Sequence, residues 1–350
     1  MNQAQSEIRV RRGELYGADV VRSYGDAAGE YAALRDGAGM VVREDRRIVR
    51  VHGRDPMKMV HGLVTNDVLN LADGQAVYAA LLTPKGRMIG EMRVVRHSAD
   101  LLIDVDVAAL EGVLAHLKKF VPPLFARFED ASAQFALVGA YGAHARAAVA
   151  AVCGAPDREL VEDEAVPGAF AGGAMHVIGT HYTGGEGYDV VVPAEDADGL
   201  QAALVAHGVQ QCGHAALDVL RIEAGRPRWG AELDDATIPL EAGLKERAIS
   251  TSKGCYTGQE VIIRILHRGH VNWQLHGLRL GDAAVPARGA TLTQPDTEKT
   301  VARVTSACVS PRFDETIALA YVRREIAPGT DLVIAGTAQR ARVVTLPFTD

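Results

Sequence analysis

Residues 74–106, GQAVYAALLTPKGRMIGEMRVVRHSADLLIDVD, constrain the fold more tightly than any other stretch. Three runs rich in apolar and β-branched residues are separated by only TPKGR and HSAD. Connections this short join antiparallel neighbours, because a parallel pair needs a crossover of about a dozen residues or more. The stretch therefore predicts a meander and not a doubly wound parallel sheet. Upstream, RIVRVH at 47–52 alternates like a half-buried strand, and GRDPMKMVHGLVTNDV reads as a turn and a short amphipathic helix. Downstream, VAALEGVLAHLKKFV has helical spacing and runs into Pro122 and Pro123, which stop it.

A second cycle begins near residue 127. RFEDASAQFALVGAYG reads as strands, AHARAAVAAVCG as a helix ending at Gly154, GYDVVVP as a strand and AEDADGLQAALVAHGV as a helix. Residues 153–174 read as a solvated loop. Strands and helices mixed with antiparallel hairpins make the fold class α+β. From about residue 271 the pattern changes to short strands divided by Gly, Pro and Asp: LHGLRL, ATLT, TVARVTSACVS, TIALAYV, TDLVIAG and RARVVTLPF. That is the signature of a small β-barrel or sandwich.

With 350 residues, two or three packed units are expected. A formal net charge of -7, with no basic run to offset it, argues against nucleic acid and anionic membrane as partners. The first residues, MNQAQSEIRVRRGELYG, lack the apolar segment of a signal peptide, and Glu7 and Glu14 are atypical of a transit peptide. No window approaches the run of about 20 apolar residues that a membrane span needs. The expected location is the cytoplasm. The four cysteines, Cys153, Cys212, Cys255 and Cys308, lie far apart, without zinc or iron–sulfur ligand spacing and without a disulfide framework. No metal site is expected, and any thiol chemistry falls to one cysteine.

The strongest candidate is Cys255 in TSKGCYTGQEVIIR, residues 251–264. Thr257-Gly258-Gln259-Glu260 reads as a capping box, with Thr257 as N-cap and Glu260 reaching back. VIIRIL would then be helical, although its β-branched residues leave a strand as the competing reading. Two residues before such a cap, Cys255 would meet the positive helix end, with Lys253 as a neighbouring cation favouring a thiolate. Gly254 and Gly258 would let the backbone turn sharply and approach a ligand. The alternative is that Cys255, like the other three, is a small buried hydrophobe. No acid–base partner follows from spacing; His267 and His270 lie downstream.

KGCYTGQE, followed by Arg264 and Arg268-Gly269, resembles the signature of the YgfZ-type folate-binding proteins, whose relatives include a mitochondrial factor for iron–sulfur protein maturation. These belong to the superfamily of the glycine-cleavage T-protein, an aminomethyltransferase. VHGRDPMKMVHGLVTNDVLNLADGQAVYAALLTPKGRM, LRIEAGRPRWGAELDDATIPLEAGL and VARVTSACVSPRFDETIALAYV with VVTLPF are similar to its N-terminal, central and C-terminal segments, in the same order. The resemblance implies two intertwined α+β lobes around a central folate channel, one at about 1–52 with 127–270 and the other at about 53–126. It makes 271–350 a C-terminal barrel. It implies tetrahydrofolate as cofactor, with Cys255 and Lys253 as the reactive pair, and Gly254, Tyr256, Gly258, Gln259, Glu260 and Arg264 as the loop facing folate.

By the same resemblance Glu223, in RIEAG, contacts the pterin. A carboxylate accepts two hydrogen bonds from the pterin's amino and ring N–H groups, whereas the bare sequence also allows an ion pair with Arg221 or Arg226. Tyr78 is a second candidate, offering a ring face, with core packing as its alternative. Trp229 could line the channel, and Lys85 and Arg87 sit on a turn that is either solvated or meets an acidic group. The T-protein holds its catalytic aspartate in a G-G-x-x-D-D-like hairpin, and here the matching pair reads Gly90-Glu91. On a strand one residue changes the face, so the acid is expected to be lost. The leading expectation is then a tetrahydrofolate-binding accessory factor for iron–sulfur assembly or repair, with iron–sulfur client proteins as partners. The alternatives are a folate-dependent one-carbon transferase and a folate-sensing scaffold without chemistry.

Overall fold

The computed structural model describes residues 10–295 and 297–349, so most of the amino-terminal stretch examined for a targeting signal lies outside the described residues. The chain forms two compact units, each from two separate segments. One holds the residues up to Arg46 and Ser132–Leu220; the other holds Arg47–Ala131 and everything from Arg221 onward. Residues 221–270, grouped above with the first lobe, thus lie in the second unit.

In the first unit a six-stranded sheet runs in the order Ala165–Phe170, Gly173–Thr180, Gly187–Pro193, Phe135–Tyr141, Gly39–Val42, Gln210–Gln211. The last strand is parallel to its neighbour, and the other pairs are antiparallel. Helices Ala145–Cys153 and Ala197–Ala206 bury Val149, Leu200 and Leu204 with Val138 and Val190 of the sheet. Gly154, at φ 64, ends the first of these helices in the left-handed conformation that glycine adopts freely. The expected loop at 153–174 is a correction: Ala165–Phe170 is an edge strand paired residue by residue with Gly173–Thr180. Its sequence, AVPGAF, has no alternation to betray it, and Pro167 is tolerated because an edge strand leaves N–H positions unpaired.

The second unit holds the predicted meander. Its five-stranded sheet is ordered Ala76–Leu82, Met88–His97, Asp100–Asp106, Arg46–His52, Arg127–Asp130. Helix Leu110–Phe120 packs Val113 and Leu117 into the same core as Leu81, Met92 and Ile103. In the C-terminal part a closed six-stranded barrel runs Trp273–Arg279, Glu315–Arg323, Thr300–Ser310, Thr291–Thr293, Asp331–Ile334, Arg340–Val344, and the last strand pairs back with the first. Its interior is aliphatic, with Leu278, Val304, Ala320 and Val343 fully buried. The architecture is the α+β one expected. Among the described residues no helix is long and apolar enough to cross a membrane.

Candidate functional site

The meander of the second unit has two unlike faces. Directly opposed residues of an antiparallel pair share a face. The pairs Ala79↔Met92 and Met92↔Val105 therefore lie on one side, and Tyr78↔Arg93, Ala80↔Glu91 and Arg93↔Asp104 on the other. The first side is apolar and covered by the helix Leu110–Phe120. The second carries Tyr78, Glu91, Arg93, Asp104 and, two residues on, Asp106. All five are buried, at 5 % exposure or less. Arg93 clasps Asp104 at 2.5 and 2.8 Å, and Arg228 reaches Asp106 at 3.1 Å. Buried charges persist only when matched in this way.

The expectation about the hairpin acid changes accordingly. Gly90 faces the helix, where an added Cβ would lie 2.6 Å from Val113 Cγ2. A carboxylate at position 90 would be driven into that packing and could not reach the charged side. Glu91 does lie on the charged side. The one-residue step that counted against Glu91 is what places it there.

The thiol motif supplies a neighbouring element. Gln259–Arg268 is a helix, as the capping reading required, but the capping box does not form. Its N-cap is Gly258 at φ 83 with no side-chain cap, while Glu260 is exposed and pairs with Arg264 at 2.9 Å, one turn along. An αL residue at the cap displaces Thr257 from that role, so Cys255 lies three residues before the cap instead of two. Gly258 is needed for close approach: a Cβ there would meet the Thr83 carbonyl oxygen at 2.6 Å and Leu82 Cβ at 3.1 Å. Gly86, at φ 73 in the TPKGR turn, would likewise press on Val261 at 3.0 Å. Two motifs far apart in sequence are thus packed together through their glycines. Gly254 has no such duty, for nothing lies within 4 Å of its Cβ position and its φ is not left-handed.

Lys253 is buried, and its ammonium donates to the carbonyl oxygens of His61, Val64 and Asn66 at 2.5, 2.7 and 3.0 Å. Burial pushes its pKa down to about 8. All three of its donors are engaged, which makes it an anchor for the 61–66 turn and corrects the expectation of a cation serving Cys255. Asn66 continues the chain of contacts, donating to the carbonyls of Tyr78 and Arg247 at 2.9 and 3.2 Å. The Arg247 guanidinium lies over the Tyr78 ring at 3.9 Å, a cation–π distance. Cys255 is exposed, Cys153 and Cys212 are buried with thiols pushed up to about 12 by burial, and Cys308 is intermediate. Tyr256, between Cys255 and the helix, turns inward and is 6 % exposed.

The remaining candidates separate. Glu223 is buried and accepts from the Ser310 hydroxyl. Arg221 pairs with Glu232 at 2.6 Å and donates to Ser306 at 2.7 Å. Trp229 belongs to the core. Arg87 donates to the Ala236 carbonyl, and Lys85 is exposed. Sequence reasoning missed Arg93, Asp104, Asp106, Arg228 and Asn66. The signal for three of them was present: charges at period two, as in IDVD and EMRVV, inside strands otherwise fit for burial.

Comparison with known proteins supplies the family. Residues 1–253 match the GCVT N-terminal domain, and 274–350 match the glycine cleavage T-protein C-terminal barrel domain. The chain belongs to the glycine cleavage T-protein family. An aminomethyltransferase of Rubrobacter xylanophilus is 30 % identical over 335 residues, covering 96 % of this chain and 89 % of its own. A probable aminomethyltransferase of Halobacterium salinarum is 32 % identical, covering 92 % and 90 %. The crystal structure of the glycine cleavage system aminomethyltransferase T from Bartonella henselae superposes with a TM-score of 0.86 at 22 % identity, over 97 % of this chain and 94 % of that one. That likeness establishes the T-protein fold, including the closed barrel. Within the T-protein family, then, this chain has a buried carboxylate, Glu91, on the charged face of the meander and an exposed cysteine, Cys255, before the helix Gln259–Arg268.

Proposed function

We propose that this protein is a tetrahydrofolate-dependent one-carbon transferase, accepting a carbon of the aminomethyl or methyl type from an amine donor. The observation that carries this reading is Glu91, a carboxylate on the charged face of a T-protein meander whose Gly90 could not have carried one. The names of the relatives support it. So does the fit of the side chains to a folate: Tyr78 offers an aromatic surface, Glu91 and Glu223 are buried carboxylates, and the Tyr256 hydroxyl is buried with no protein partner. Tetrahydrofolate, when bound, supplies the nitrogen that accepts the carbon unit. Glu91 would take the proton that this nitrogen gives up and pass it to the donor amine, which departs as its bond to the transferred carbon breaks, a role suited to a carboxylate shielded from water. The Arg93–Asp104 and Arg228–Asp106 pairs keep the surrounding field fixed, so that little reorganisation accompanies the change in charge. Glu223 holds the pterin edge. The test is transfer of carbon from a methylamine-bearing donor to tetrahydrofolate by the purified protein. Turnover is expected, with binding weakened about tenfold in Glu223→Ala; a protein that binds no tetrahydrofolate would overturn the reading.

A second reading rests on Cys255. It alone of the four thiols is exposed, and it sits on a loop held by Lys253 and by Gly258. In this reading the protein is a cytoplasmic, folate-binding accessory of iron–sulfur assembly or repair, acting on client proteins through that thiol. Cys255→Ser would then abolish support of iron–sulfur enzymes while leaving folate binding intact. Unchanged iron–sulfur enzyme activity in cells carrying the variant excludes it.

A further inference from the structure

A buried hydroxyl without an acceptor is costly, at about 1–3 kcal/mol, and structures rarely retain one without a use for it. Tyr256 is such a case. It belongs to the apolar core of the second unit, it is 6 % exposed, and its hydroxyl oxygen is buried with no hydrogen-bond partner. A phenylalanine would fill the same space without that cost. The position of the ring narrows what the hydroxyl is for. The Lys253 ammonium sits 5.2 Å from the ring centre, and Lys253 also binds the Asn66 carbonyl, whose side-chain amide in turn binds the Tyr78 carbonyl. Lys253 and Asn66 thus link Tyr256 to the backbone of Tyr78, the residue whose ring is assigned to the folate.

We propose that the Tyr256 hydroxyl is a ligand-positioning donor, reserved for an uncharged carbonyl of the bound folate. The inference rests on the folate reading above. The burial of the hydroxyl favours a neutral acceptor, since desolvating a carboxylate there costs far more than desolvating an amide-type oxygen. Burial also pushes the phenol up to about 12, so it stays protonated and able to donate throughout the neutral range. Tetrahydrofolate has two such acceptors, the pteridine ring carbonyl and the aminobenzoyl amide carbonyl.

The experiment compares wild type with Tyr256→Phe, measuring thermal stability without ligand and the Kd for tetrahydrofolate and for 6-methyltetrahydropterin, which lacks the aminobenzoyl amide. The ligand-free variant is expected to melt at the same temperature or higher, because an unpaired buried hydroxyl has been removed. Its affinity for tetrahydrofolate is expected to fall about five- to tenfold, the worth of one hydrogen bond. A parallel loss with the pterin assigns the ring carbonyl, and a loss with tetrahydrofolate alone assigns the amide. Unchanged affinity for both overturns the proposal, as does a clear drop in melting temperature with affinity intact, which would mark a structural hydroxyl. If wild type binds neither compound, the folate reading itself fails. That outcome is distinct from a wild type that binds and a variant that binds equally well.

Discussion

Each unit of this protein buries a cluster of charges, and the two clusters are built differently. In the first unit Arg43 is clasped by Asp45 at 2.9 and 3.1 Å and donates to the Tyr141 hydroxyl, which donates to Asp189 at 2.6 Å. His214 reaches the Val42 carbonyl at 2.9 Å. The group is reciprocal, and both pKa values lie well above the ordinary ones: burial raises that of Tyr141, whereas in Arg43 burial lowers it and the anionic neighbours, Asp45 first, more than offset that. In the second unit the ion pairs Arg93–Asp104 and Arg228–Asp106 are as tight, but the same unit also holds a buried hydroxyl without a partner, an exposed thiol and a glycine-lined turn. The first cluster spends its charge on holding one sheet. The second keeps groups in reserve, and reserve is what marks a place where something binds.

The comparison can be broken most forcibly at Arg43. Arg43→Met takes the cation away from the buried Asp45 and Asp189, and is expected to cost about 3–5 kcal/mol in urea unfolding. Any tetrahydrofolate affinity of the fraction still folded should be unchanged. The thiol motif gives a smaller contrast within itself. Gly258→Ala, at a left-handed φ and against the Thr83 carbonyl, should cost about 2–4 kcal/mol, whereas Gly254→Ala should stay within about 0.5 kcal/mol. Gly90→Asp sharpens the question of the acid. It is expected to lower stability by about 2–3 kcal/mol through Val113 and to add no transfer activity. Gain of activity would mean that position 90 reaches the charged side after all.

The smallest effect concerns pH. The buried thiols of Cys153 and Cys212 have folded-state pKa values near 12, above the ordinary thiol value. Between about pH 9 and 12 the native chain therefore holds protons that the unfolded chain has lost, and stability falls as pH rises through that window. A Cys153→Ala, Cys212→Ala variant should show a shallower alkaline decline in melting temperature. At pH 8 the wild type should present one fast-reacting thiol, Cys255, to a disulfide reagent.

Much of the fold was legible because it is written in periodicity. The meander, the helix before Pro122, the αL stop at Gly154 and the barrel strands all follow from local pattern. The edge strand Ala165–Phe170 was not, because Ala, Gly and Pro pair through backbone alone. Within the site, the KGCYTGQE helix was legible, whereas its cap was not: Thr257 and Gly258 both satisfy local rules, and the nearby TPKGR turn decided for glycine. The face that Glu91 takes was not legible for a related reason. Strand alternation says that neighbours face opposite ways, but only the helix packed on Gly90 says which way is which. The commitment of Lys253 to three carbonyls depends on a turn nearly 190 residues earlier, and no spacing reveals it.

The most direct test of the central claim is carbon transfer from a methylamine-bearing donor to tetrahydrofolate by wild type and by Glu91→Gln, with tetrahydrofolate affinity measured alongside. The account predicts turnover by wild type, a loss of about a hundredfold or more in the variant, and affinities within about threefold of each other. Equal turnover by both proteins would contradict it, because the charged face of the meander would then be structure and not chemistry.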